Sequence, residues 1–146
     1  MKNKSKNIKL KTEKCYCIGF RRAARAVTAY YDRIMLQSGL TINQYSLLMY
    51  LLRIAPCNAT ALAKTMKLER TTLLRNIKPL VEKGLMQDLA EEGERDRQLT
   101  VTKQGIATLE VAQKLWKKAQ AGLKAHVGEG SFEKLMSTIA GLEQLA

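Results

Sequence analysis

The chain has 146 residues, enough for one ordinary domain around a single core. Its 46% hydrophobic share excludes a disordered chain, and no stretch approaches the ~18 consecutive apolar residues of a membrane span. The formal charge of +12 fits either a polyanionic partner or simply a solvated surface, and it sits unevenly: residues 1–14 carry +5 and 15–58 carry +4, whereas 59–100 carry only +1 and 101–146 carry +2.

Residues 1–12 read as a flexible basic arm, lysine-rich and without periodicity. Ile8 and Leu10 stand alone among lysines, which argues against a secretory signal. From Glu13 to Gln37 apolar residues recur at helical spacing (Phe20, Ala23, Ala24, Val27, Tyr31, Ile34, Met35), and Ser38-Gly39 ends this first helix. Thr41-Ile-Asn-Gln44 has the form of a capping box opening a second helix, with Tyr45, Leu48, Leu51 and Leu52 facing inward and Pro56 at its end. Asn58 caps a short third helix through Met66, buried along Ala59, Leu62, Ala63 and Met66. Lys67-Leu68 makes a turn. A fourth helix runs from about Arg70 to Lys83, buried along Leu73, Leu74, Ile77, Leu80 and Val81 and ended by Gly84. Pro79 lies inside it and should bend its last turns.

Leu85–Ala90 and Gln98–Val101 read as two short strands joined by the polar tip Glu91–Arg97. Thr102 caps a long fifth helix from Lys103 to about His126, with Ile106, Leu109, Ala112, Trp116, Ala119 and Leu123 as its stripe. Gly128 and Gly130 break it, and a last helix from Ser131 to Leu145 carries Phe132, Leu135, Met136, Ile139 and Leu142. The expected fold is mainly α with a small β-wing: a winged helix-turn-helix over 40–105, flanked by N- and C-terminal dimerisation helices at 13–38 and 103–146, all in one domain over 13–146. Apolar stripes at both chain ends can bury themselves against a second copy. A homodimer then places two recognition helices in successive major grooves ~34 Å apart on a pseudo-palindromic double-stranded DNA operator.

Leu40-Thr41 with Gln44-Tyr45, Leu62-Ala63, Arg70-Thr-Thr-Leu-Leu-Arg-Asn76, Leu80-Val-Glu-Lys-Gly-Leu85 and Leu99-Thr-Val-Thr-Lys-Gln-Gly105 occur in this order. With these motifs residues 13–146 resemble the MarR group of bacterial transcriptional regulators. The resemblance implies a dimeric winged-helix DNA binder that usually represses transcription. It also implies release of DNA when a small phenolic or lipophilic ligand, or an oxidant, acts near the junction of the dimer and DNA-binding parts. The family's key wing arginine matches Arg95. Gly93 stands where the family commonly carries a bracing Asp, and Asp96 is the substitute within reach.

The expected DNA-reading residues follow from side-chain chemistry. On the fourth helix, Arg70, Thr71, Thr72, Arg75, Asn76 and Lys78 lie mostly off the buried stripe. Arginine grips guanine and asparagine adenine with paired bonds, threonine meets a thymine methyl or a phosphate, and the helix N-terminus favours phosphate. The plain alternative is a solvated amphipathic face. Arg95 and Arg97 on the wing suit a minor groove or phosphates; the alternative is a local ion-pair cluster with Glu91, Glu92, Glu94 and Asp96. Thr60 suits a phosphate contact, with plain capping as its alternative.

Tyr31 and Trp116 are large groups on helices expected to meet in the crevice where the family binds a small aromatic or lipophilic effector, although an aromatic on a core stripe is more often simply core. Cys17 matches the reactive cysteine of the family's organic-hydroperoxide-sensing branch. There Tyr31 keeps one supporting position, Ile42 stands at another and Arg21 replaces a third aromatic. The other reading of Cys17 is a small buried hydrophobe. Cys15, Cys17 and Cys57 make neither a disulfide scaffold nor a zinc site, so free thiols in a reducing cytoplasm are expected. No cofactor is expected, and no enzyme: the chain has no Gly-rich phosphate loop, no nucleophile–base pairing and one histidine, His126. The other functional readings are a thiol-switched repressor using Cys17 and a winged helix used for protein contact without DNA.

Overall fold

The computed structural model describes residues 13–91, 93–94 and 97–146; the basic arm and Arg95 lie outside them. The elements run α1 (Tyr16–Met35), a 3-10 turn (Leu36–Ser38), α2 (Ile42–Ile54), α3 (Ala59–Met66), α4 (Arg70–Glu82), β1 (Met86–Asp88), β2 (Leu99–Val101), α5 (Lys103–Val127), α6 (Glu129–Leu142) and a closing 3-10 turn (Glu143–Leu145). The order is the expected one: mostly helix, with one small antiparallel sheet.

Local chemistry sets the element boundaries. Gly39 takes a left-handed φ of 72° and ends the turn after α1. The capping box of α2 closes in both directions: Thr41 Oγ1 accepts from Gln44 N at 3.2 Å, and Thr41 N donates to Gln44 Oε1 at 3.1 Å. Asp32 of α1 adds a third tie, its carboxylate accepting from Ile42 N at 2.7 Å. A carboxylate at a helix N-terminus also complements the helix dipole. Gly128, at φ 95°, separates α5 from α6, whereas Gly130 lies inside α6 rather than breaking the chain there.

The core is one cluster that joins α1, α2, α3, α4, the strands and α5. In α2 the buried residues are Tyr45, Leu47, Leu48 and Leu51; Leu52, expected inside, is 46% exposed. The α2 stripe therefore turns through Leu47 toward α4, because α2 packs against α3, α4 and α5 rather than against one neighbour. In α4 Leu73, Ile77 and Leu80 are buried and Val81 is exposed, and in α5 Gly105, Leu109, Ala112 and Ala119 are buried while Ile106 is exposed.

The long helices meet chiefly through the second half of α1 and α5. Tyr30 donates to Ala119 O at 3.3 Å, and Tyr31 hydrogen-bonds to Gln120 Oε1. The first half of α1 is different. Phe20, Ala23, Ala24 and Val27, all expected on the buried stripe, are exposed, and α6 has no buried residue, with Leu135, Met136, Ile139 and Leu142 open to solvent. These apolar stripes have the helical period expected of them, but among the described residues they stay largely exposed. Among the described residues no helix is long and apolar enough to cross a membrane.

Candidate nucleic-acid interface

The helix-turn-helix is built from α3, a tight turn and α4. Asn58 Oδ1 accepts from Ala61 N at 2.8 Å and starts α3, so capping is not the role of Thr60, which projects from the exposed second position of that helix. Lys67 takes a left-handed φ of 52°, and Leu68 N donates back to Ala63 O at 2.9 Å, which closes α3 and redirects the chain. Glu69 provides no side-chain cap for α4, so the first N–H groups of that helix remain available to an acceptor, beside exposed Arg70.

Helical periodicity sorts the remaining residues of α4. Leu73, Ile77 and Leu80 define the inner side; Thr71, Arg75, Lys78 and Glu82 recur at intervals of three and four on the opposite side. Arg75 makes no ion pair with a described residue, whereas Lys78 pairs with Glu82 at 4.0 Å across exposed surface, a contact that contributes little. Thr72 and Asn76 occupy a flank rather than the outward side. They line a cavity of about 270 Å³ facing α2, and Asn76 Nδ2 donates to Thr72 O at 3.1 Å. The six residues expected to read DNA thus divide. Thr71, Arg75 and Lys78 point outward, Arg70 sits at the helix start, and Thr72 and Asn76 turn toward the second helix.

The wing pairs Met86 with Val101, Gln87 with Thr100 and Asp88 with Leu99. A third short edge comes from Cys57, which exchanges both backbone hydrogen bonds with Leu99, at 2.8 and 3.2 Å. Sequence reading treated Cys57 only as a thiol; its structural contribution is its backbone, and burial pushes its thiol pKa up, away from a thiolate. At the wing base Asp88 Oδ1 accepts from Gln98 N at 2.8 Å and Ala90 N at 3.1 Å, while Oδ2 lies 3.8 Å from Arg97 Nε. Asp88 therefore pairs with Arg97, a contact the sequence reading did not foresee; the brace of Arg95 by Asp96 lies outside the described residues. Only an alternating strand register could have revealed the pair, since Asp88 and Arg97 are nine positions apart. We expect Asp88→Ala to cost about 1 kcal/mol by urea unfolding and to speed amide exchange at Ala90 and Gln98. Unchanged exchange at both amides would remove Asp88 from the wing base.

The two residues expected to line an effector site, Tyr31 and Trp116, have different partners. Tyr31 is buried, edge-on to Tyr30 with ring centroids 5.7 Å apart. Burial first, then neighbouring Tyr30, raises its phenol pKa. Trp116 instead lines a cavity of about 290 Å³ between α2 and α5, stacked on Tyr45 at 5.9 Å, with Met49, Arg53 and Gln113 around it. Tyr31 is not part of that cavity. Tyr45, whose phenol pKa is raised by burial, is the partner that sequence reading placed only in the core. Cys17 is exposed near the start of α1, and the Tyr31 hydroxyl is engaged with Gln120 rather than with a thiol. Among the described residues no group of three or more His, Cys, Asp or Glu is placed to hold a metal ion.

Comparison with known proteins converges with this geometry. Residues 40–98, from the start of α2 to the wing, match the MarR family. The M. tuberculosis transcriptional regulator MosR, solved in complex with DNA, is 35% identical; the likeness covers 90% of this chain and 96% of that one, with a TM-score of 0.78. The transcriptional repressor CouR, solved bound to p-coumaroyl-CoA, is 25% identical over 88% of this chain and 91% of its own, with a TM-score of 0.77. A MarR-family regulator from Rhodococcus sp. RHA1, 18% identical over 90% of this chain and 97% of its own, shares the fold at a TM-score of 0.70. No curated protein matches the chain. A winged helix-turn-helix with an outward basic helix, matched along nearly its whole length by such regulators, places the chain in the MarR family of DNA-binding transcriptional regulators and not among enzymes.

Proposed function

We propose that the protein is a homodimeric transcriptional repressor that holds a pseudo-palindromic operator through the two α4 helices of the dimer and lets go when a small aromatic or lipophilic effector binds. The division of labour is a winged helix-turn-helix over 40–105 and dimerisation helices over 13–38 and 103–146. The observation that carries this reading is the outward side of α4, where Thr71, Arg75 and Lys78 stand clear of the core with Arg70 beside an uncapped helix N-terminus. Arg97, held by Asp88, and Thr60 on α3 extend the same contact to flanking phosphates. Arg95 belongs to this set through its match to the family's wing arginine.

Two features support the dimer and the effector. The exposed apolar stripes of α1 and α6 leave Phe20, Val27, Leu135 and Ile139 in water, and a second copy that covers them regains the hydrophobic free energy they forgo. The α2–α5 cavity offers the stacked Tyr45–Trp116 pair to a planar ring and Arg53 to an acidic group. The ligand named for CouR, p-coumaroyl-CoA, has both kinds of group.

Salt tests the DNA reading directly. Contacts to six to ten phosphates predict an affinity loss of roughly 10³–10⁵-fold between 50 and 200 mM salt, measured by anisotropy of a labelled duplex. A nearly flat salt response would instead assign the winged helix to protein contact.

A further inference from the structure

The two cavities beside α2 share a wall. The α2–α5 cavity and the α2–α4 cavity, of about 290 and 270 Å³, have Ser46 and Tyr50 in common. Helix geometry explains this. Ser46 and Tyr50 are four residues apart on one ridge of α2, with Met49 and Arg53 on the side toward α5 and Asn43 and Leu47 on the side toward α4. Of the two shared residues Tyr50 carries the larger side chain, and it borders both cavities.

Tyr50 is loosely held compared with the other tyrosines of this region. Tyr30 and Tyr31 are tied to α5 by their hydroxyls, and Tyr45 is stacked on Trp116. Tyr50 is 37% exposed, its hydroxyl has no partner among the described residues, and the Arg53 guanidinium lies 6.0 Å from its ring centroid. On one side the ring borders Trp116; on the other it borders Thr72 and Asn76 of α4.

We propose that Tyr50 is a positioning residue that couples the α2–α5 cavity to the DNA-reading helix. Its ring has two adjacent voids available and fills one at a time. A molecule in the α2–α5 cavity drives the ring toward Thr72 and Asn76 and shifts the flank on which α4 rests. DNA that draws α4 into a groove changes the same flank and sends the ring toward Trp116. The two effects are one coupling seen from its two ends, as linkage requires. The inference rests on the proposed binding of DNA by α4.

Trp116 is the only tryptophan of the chain, so its emission reports the α2–α5 cavity without ambiguity. The full-length protein is titrated with a duplex selected by the protein itself from random sequence. Binding is followed by anisotropy of the labelled duplex, and tryptophan emission is read at saturation in the wild type, Tyr50→Phe and Tyr50→Leu. The expected result is a shift of Trp116 emission on DNA binding in the wild type and Tyr50→Phe, which keep the ring, and its loss in Tyr50→Leu, even where more duplex is needed to saturate that variant. Bound duplex with no emission change in the wild type overturns the coupling, and an equal change in Tyr50→Leu overturns the role of Tyr50. A flat anisotropy titration in the wild type instead overturns the DNA reading on which both depend.

Discussion

Replacing Gly105 by alanine should destabilise the protein by about 3 kcal/mol, although alanine is the better helix former by about 1 kcal/mol. Gly105 is the third residue of α5 and is buried. A Cβ there would collide with the carbonyl oxygen of Leu85 and lie 2.7 Å from Val101 Cγ1. Neither neighbour can retreat cheaply. The Leu85 carbonyl accepts from Thr102 N at 3.1 Å, and Thr102 uses its hydroxyl twice, donating to Gly84 O at 2.6 Å and accepting from Gly105 N at 3.0 Å. Val101 is half of the first wing pair, opposite Met86. Relief of the clash would thus break the α5 cap, worth about 1 kcal/mol, and at least one further hydrogen bond of similar worth, on top of overpacking strain of about 1–3 kcal/mol. For a chain of this length the melting temperature should fall by roughly 10 °C at equal protein concentration. Gly141→Ala is the control. It lies in α6 with no atom of the described residues within 4 Å of the added methyl, so helix propensity alone should act and stability should hold or rise. An unchanged melting temperature for Gly105→Ala would show that α5 starts farther from the wing than described.

Arg75→Ala should weaken operator binding by about 1–3 kcal/mol for each half-site, hence ~2–6 kcal/mol for a dimer on a pseudo-palindrome. Arg75 is exposed in the middle of the outward side of α4 and pairs with no described carboxylate, so its guanidinium is available to a base edge and its loss leaves no buried group unpaired. The fold and the proposed dimer should therefore survive, as circular dichroism and sedimentation would report. Arg75→Lys should recover little of the loss, because an ammonium keeps the charge but not the forked pair of donors. Asn76→Ala should cost less than Arg75→Ala. Asn76 lies on the flank facing α2 with its amide already donated to Thr72 O. Normal operator affinity in Arg75→Ala would take this residue off the reading surface, and a larger loss in Asn76→Ala would reverse the assignment of the two faces.

Much of the architecture was determined by the sequence alone, because it is written in short-range chemistry. The Thr41–Gln44 box, the Asn58 cap and the Thr102 cap are interactions between residues three apart, so their spacing is their structure. The stripes of α4 and α5 follow the helical period, and the polar tip between two β-rich runs announces the wing. What only the tertiary structure decided depends on which element lies opposite. Periodicity put Leu52 inside α2, but the placement of α4 buries Leu47 instead. It marked Thr72 and Asn76 as off the core stripe, but the proximity of α2 turned them toward a cavity. Tyr31 and Trp116 looked like one site, yet Tyr31 packs on Tyr30 and Gln120 while Trp116 stacks on Tyr45. Asp88 meets Arg97, Cys57 meets Leu99, and Gly105 abuts Leu85 across separations at which no local pattern operates. A residue's own neighbours in the chain set its conformation; its partners across the fold set its role, and a linear pattern carries no record of them.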